Sequence, residues 1–194
     1  MDGNETAQIM ENGDLLPNDL ELARRARHGD LAAFHGLVDR HASYLFGLAV
    51  SLVGNAADAE DIVQEAFFGA FRGLRGFQER SSVKTWLTQI LVRQAARVFR
   101  LGRRRGLGVV QFDAESPSGP SVPSATSRAD AQMDVNAAIQ SLRPDHREVI
   151  VLRELEGMSY EEIAQVLAIP RGTVESRLHR ARQQLREVLR DYLM

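Results

Sequence analysis

The stretch Ser159–Arg182 reads SYEEIAQVLAIPRGTVESRLHRAR, and the residue types at its front spell out a helix start. The Ser159 hydroxyl can cap the helix, and Glu162, three residues on, can reach back to the cap's own amide in a capping box. Ile163, Ala164 and Leu167 follow at helical spacing. Ile169-Pro170-Arg171-Gly172 then reads as a tight turn, and a longer helix is predicted from about Thr173 to Tyr192. Short helix, turn, longer helix is a helix-turn-helix outline.

On the long helix, Val174, Leu178, Ala181, Leu185, Val188 and Leu189 gather within about 80° of arc and form its core face. The other side carries Gly172, Ser176, His179, Arg180 and Gln183, flanked by Thr173 and Glu175, with Arg171 at the start. Short or planar hydrogen-bonding groups of this kind read base edges in a DNA major groove. Charge agrees: Asp145–Glu162 holds six acids against Arg147 and Arg153, whereas Arg171–Arg190 holds six Arg against Glu175 and Glu187. Positive charge sits on the element that would enter the groove. A merely solvated basic face is the plainer alternative.

Working toward the N-terminus, Pro144 suits a first helical turn, Val149, Ile150, Leu152 and Leu155 face inward, and Gly157 ends that helix. Residues 116–128, SPSGPSVPSATSR, have no apolar period and read as a linker. Before them come three more predicted helices. The first carries Leu31, Phe34, Leu37, Val38, His41, Leu45 and Leu48 at helical spacing, ending at Gly54. The second starts at an Asn55 cap, with Ala59, Ile62, Val63, Ala66, Phe67, Ala70, Phe71 and Leu74 on one stripe. The third spans about Ser82 to Leu101, with Val83, Leu87, Leu91 and Val98 toward the core. The fold class is therefore all-α: two small helical domains joined by a flexible linker, with the helix-turn-helix in the second.

The third helix bears a second stripe of Trp86, Gln89, Arg93, Arg97, Arg100 and Arg104, and Lys84–Arg105 contains seven basic residues and no acid. Arg neutralises phosphates and an aromatic offers unpaired bases a stacking surface; alternatively Trp86 is core and the Arg are solvated. Beside the core stripe of the Asn55 helix lie Asp61, Gln64, Glu65, Phe68 and Arg72. Its carboxylates would repel DNA, so a protein partner fits it better, unless Phe68 packs on a neighbouring helix.

The 194 residues carry a net charge of −2, but residues 1–22 hold six acids and no Lys or Arg, so the remainder sums to +4. That leader, residues 1–22, is expected to be disordered. With no cysteine there is no disulfide, thiolate metal site or Cys nucleophile. The five His form no metal-binding pattern, and His41, on an apolar stripe, reads as a hydrogen-bonded core residue. Asp58, Glu60 and Asp61 read as a solvated helix start. No glycine loop cradles phosphate, so neither an enzyme nor a cofactor is implied. No apolar run approaches the roughly 18 residues that span a bilayer, and a cytoplasmic protein without membrane insertion is expected.

The motifs converge on a resemblance. Asp58-Ala-Glu-Asp-Ile-Val-Gln-Glu-Ala-Phe67, Ser82-Val-Lys-Thr-Trp-Leu87 with its Arg-rich helix, Leu142–Leu152, Glu156–Ala164 and Ile169–Arg182 together resemble the small, two-domain extracytoplasmic-function (ECF) members of the bacterial RNA polymerase sigma family. The resemblance implies residues 23–105 as a domain for core binding, promoter melting and −10 reading, 106–130 as linker, and 131–194 as the −35-binding domain. It implies Asp61, Gln64, Glu65 and Phe68 as contacts to core RNA polymerase. The loop Phe77 to Ser82, with Arg80, Ser81 and Ser82, matches the one that captures a flipped −10 base, and Trp86, Arg93 and Arg97 match the adjoining melting segment; Gln89 and Arg100, on the same stripe, are assigned to −10 reading with them. Arg171, Thr173, Glu175, Ser176, His179 and Arg180 match the −35 face. Glu175 departs from relatives, where that slot is often basic; it could accept from cytosine N4 or orient an Arg. An anti-sigma factor is the further partner implied. A stand-alone helix-turn-helix regulator would explain the second half but not the Trp86–Arg stripe, and a protein-binding adaptor would not explain the Arg stripes.

Overall fold

The computed structural model describes residues 17–104 and 128–190, with side chains described for 17–99 and 135–190. The expected linker lies almost wholly outside these residues. All the regular elements described are helical. The first region holds α1 (Asp19–Arg27), α2 (Leu31–Val53), α3 (Ala56–Gly73) and α4 (Val83–Arg104). The second holds α5 (Arg128–Ser141), α6 (Pro144–Ile150, continued by a wider π turn to Leu155), α7 (Tyr160–Leu167) and α8 (Arg171–Val188).

Each boundary has a local cause. Asp30 caps α2 by accepting from the Ala33 amide at 3.0 Å. Gly54 closes it at φ +87°, where a glycine is the unstrained choice. Asn55 then caps α3, accepting from Asp58 N at 2.8 Å, and Ser82 caps α4 by accepting from Thr85 N at 3.0 Å. The capping box at Ser159 and Glu162 is present in both directions. The turn into α8 falls earlier than residues 169–172: Ala168 takes the left-handed conformation at φ +52°, and Arg171 already opens the helix. Pro170 explains the shift. Its ring fixes φ near the helical value and it has no N–H to lose at a helix start, leaving Arg171 and Gly172 free to wind.

Leu37, Leu45, Leu48, Leu52, Ile62, Leu87 and Leu91 of the first region and Val149, Ile150, Leu152, Ile163 and Leu178 of the second are buried in one shared hydrophobic core. Five residues assigned to core stripes are exposed instead: Leu31, Phe71, Val98, Leu155 and Val188. They lie toward the ends of their segments, where among the described residues the stripe is left uncovered or, at Phe71, only edged by Phe34.

The expected leader is also shorter than residues 1–22. Asn18 caps α1 by accepting from Glu21 N at 2.8 Å, and Leu22, Ala23 and Ala26 are buried. Asp19 holds the helix down: His41 Nε2 donates to one carboxylate oxygen at 2.7 Å and Arg40 Nη1 to the other at 3.0 Å. His41 is thus the hydrogen-bonded core histidine that its position implied. Residues 1–16 lie outside the described residues.

The His41 hydrogen bond, helped by Arg40, holds the Asp19 carboxyl below its ordinary value despite partial burial. A depressed carboxylate contributes stability above its unfolded pKa and loses it as pH falls through the folded one. We expect Asp19→Asn to lower unfolding free energy by about 1 kcal/mol at neutral pH. The gap between variant and parent should close as pH falls below the ordinary Asp range, read by thermal melting at several pH values.

Candidate nucleic-acid interface

On α8, burial of Val174, Leu178 and Ala181 turns the opposite side outward. Arg171, Glu175, Ser176, His179 and Arg180 are exposed, and Thr173 partly so. Arg171 is pre-oriented: its Nε donates to Glu175 Oε1 at 3.0 Å and its Nη1 pairs with Glu161 Oε1 at 2.6 Å. Glu175 thus pairs with Arg171 in this structure. The Ser176 hydroxyl donates back to the Thr173 carbonyl at 3.0 Å. His179 and Arg180, one turn further along, make no ion pair among the described residues.

The α4 stripe divides. Arg93 and Arg97 are exposed, and Arg100 lies on α4 beyond the described side chains. Trp86 is partly buried, with its ring centroid 4.8 Å from that of Phe77. It is therefore part core and part surface. Gln89 donates to the Gln165 carbonyl of α7 at 3.1 Å, so the second region covers this part of the stripe.

In the preceding loop Arg80 is exposed, Ser81 half-buried, and the Ser82 hydroxyl is engaged as the α4 cap. Sequence reasoning missed Glu79. Its carboxylate takes Arg24 Nη2 at 2.6 Å and Nε at 3.1 Å, with Arg27 Nη1 at 3.9 Å. The available signal was compositional: Glu79 is the single acid between Glu65 and Asp113.

On α3, Asp61, Gln64, Glu65 and Phe68 form one exposed ridge. Phe68 is 53% exposed, which excludes packing on a neighbouring helix, and the Arg72 guanidinium lies 4.0 Å over its ring. Among the described residues no group of His, Asp or Glu is placed to hold a metal, and no helix is long and apolar enough to cross a membrane.

The two regions meet at the end of α2. Gln140 donates to the Ser51 carbonyl at 2.9 Å. The buried Arg147 sends Nη1 to Leu52 O at 2.8 Å, Nε to Ile139 O at 3.2 Å and Nη2 to Leu142 O at 3.0 Å, with Gln140 O also accepting. Burial pushes its pKa below that of an ordinary arginine.

With this geometry in place, comparison with known proteins is decisive. Residues 37–105 match the family model "Sigma-70 region 2" and residues 132–185 match "Sigma-70, region 4". The RNA polymerase sigma-H factor of Pseudomonas aeruginosa is 38% identical over 184 residues, covering 90% of this chain and 95% of that one. The ECF RNA polymerase sigma-E factor of Escherichia coli is 37% identical over 174 residues, covering 85% and 91%. The chain belongs to the ECF sigma factors. Its fold agrees with a solved member, the sigma factor RpoE of Bartonella quintana in complex with the anti-sigma factor NepR: TM-score 0.61, 31% identity, 81% of this chain and 96% of that one. The sigma factor directs core RNA polymerase to promoter DNA in transcription initiation. Its region 2 match takes in α3, the Phe77–Ser82 loop and α4, and its region 4 match takes in the helix-turn-helix; α1 precedes both.

Replacing Arg147 by Met would strand several buried carbonyls that its guanidinium now satisfies. Melting in denaturant should show a loss of about 3 kcal/mol, against less than about 1 kcal/mol for a control at the exposed Arg186, Arg186→Met.

Proposed function

We propose a division of labour among the exposed faces. The α3 ridge of Asp61, Gln64, Glu65 and Phe68 docks on core RNA polymerase. Its carboxylates would be repelled by DNA but suit a basic protein surface, with Phe68 as the apolar anchor. The α8 face of Arg171, Thr173, Glu175, Ser176, His179 and Arg180 reads duplex −35 DNA in the major groove. Arg171, held by Glu161 and Glu175, presents a planar donor already aimed, so less side-chain entropy is lost on contact. Arg80, Ser81, Ser82 and the α4 stripe of Trp86, Gln89, Arg93, Arg97 and Arg100 engage the −10 element. An unpaired base trades its stack for contacts in the loop, and the Arg track the phosphates. The observation that carries this reading is the outward placement of the α8 reading face on a helix whose other side is locked into the core.

Gln89 cannot reach DNA while it donates to α7, so α7 must leave α4 before −10 reading. A solved relative bound to an anti-sigma factor supports a partner of the same kind here, one that holds the two regions out of use. The protein works in the cytoplasm, where the polymerase is, and performs no catalysis of its own.

In vitro transcription with core polymerase on a pooled promoter library tests the reading. Start sites seen only with the protein present, sharing a −10 and a −35 element, are the expected result. No new starts alongside tight binding to duplex DNA would indicate a stand-alone regulator. Asp61→Lys should abolish core binding in a pull-down while leaving the helical circular dichroism unchanged; normal binding would remove α3 from the polymerase interface.

A further inference from the structure

Glu79 has a backbone φ of +57°, in the left-handed region that disfavours side chains with a Cβ. Ala168, the other described non-glycine residue at positive φ, is a helix C-cap, where this conformation is routine. Glu79 ends no helix. It sits in the middle of the loop that joins Phe77 to the Ser82 cap.

Three attachments define that loop. At one end Phe77 is buried against Trp86. At the other Ser82 caps α4. Between them, the Glu79 carboxylate receives both Nε and Nη2 of Arg24, a two-pronged contact that fixes direction as well as distance, with Arg27 Nη1 at 3.9 Å. Arg24 and Arg27 are three residues apart and so share one side of α1. That helix is itself anchored by Asp19, Leu22, Ala23 and Ala26. The side chains left facing outward beside Glu79 are Gln78 and Arg80.

Electrostatics points the same way. A lone carboxylate in an otherwise Arg-rich stretch stands where DNA phosphates must approach, and the two guanidiniums offset its charge. They also hold the Glu79 carboxyl below its usual range, so it stays ionised and paired. The pair is too exposed to matter much for global stability: the Arg24 side chain is 55% accessible, and ion pairs of this kind contribute little. Its effect is local, on the shape of the loop.

We propose that Glu79 is a positioning residue, clamped by Arg24 and Arg27 of α1, that holds the Phe77–Ser82 loop in its base-capturing shape. This rests on the reading of that loop as the −10 base site. α1 lies ahead of the region 2 match, so the clamp comes from a segment the family model does not cover.

The experiment compares holoenzymes carrying Glu79→Gln, Arg24→Glu, the swap Arg24→Glu with Glu79→Arg, or Arg80→Ala with Ser81→Ala. Three readouts are taken: affinity for a single-stranded −10 oligonucleotide, affinity of the isolated protein for a duplex −35 oligonucleotide, and melting temperature. Glu79→Gln and Arg24→Glu should each weaken −10 binding roughly tenfold, with −35 binding and melting unchanged, and the swap should recover most of the loss. Unchanged −10 binding in both single variants, or a loss shared equally by −35 binding and melting, would overturn the clamp. Should Arg80→Ala with Ser81→Ala weaken −10 binding while Glu79→Gln does not, the base site stands and only the clamp fails. If none of the four affects −10 binding, the reading of the loop fails with it.

Discussion

At the junction of the two helical regions, Arg147 is 5% exposed and its guanidinium donates to carbonyls from two helix ends. The last carbonyls of a helix have no partner within it, and burying them unsatisfied is costly. Here one planar cation meets that demand for the end of α2 and the end of α5 at once, and Gln140 adds a contact to Ser51. Everything else about the relative placement of the regions follows: α5 and α6 sit on the end of α2, and α7 lies along α4 with Gln89 bonded to it. The neighbouring glycine belongs to the same arrangement. Gly54 is favoured there by its positive φ, and a Cβ would come within 2.7 Å of the Gln140 side-chain oxygen, so that Gln140 would have to shift.

In the division of labour proposed above, the sigma factor carries its polymerase-facing and DNA-facing surfaces on separate helices and distinguishes them by charge. The acidic ridge of α3 and the basic, hydrogen-bonding faces of α4 and α8 are held outward by apolar stripes on their other sides. Charges of opposite sign are therefore displayed on different helices rather than cancelling within one, which is what lets a protein with net charge −2 belong to a DNA-binding family. The regions share one apolar core and add polar contacts at Gln89, Gln140 and Arg147.

Much of the helix pattern was legible because its signals are local. Asn55, Gly54, Ser159 with Glu162, and Pro144 act on amides and carbonyls within a few residues, so sequence spacing suffices to read them. The buried side of α8 likewise follows from period alone. The errors came where a distant element intervenes or fails to: Leu31, Phe71, Val98, Leu155 and Val188 keep the period but stay exposed, and Leu22 is buried because α1 folds onto α2. The helix-turn-helix turn was misplaced because Pro170 serves a helix start as readily as a break.

By itself, then, the sequence determined the all-α class, the helix caps, the charge of each face and the family motifs, since all of these depend on residues near one another in the chain. Only the tertiary structure decided that Phe68 stands clear of its neighbours, that Glu175 pairs with Arg171, that Gln89 is covered by α7, and that Arg24 reaches Glu79 from 55 residues away. Such contacts turn on how two helices approach. That is set by the shape of the packed core and the closing of long chain segments, and no periodicity along a single helix encodes it.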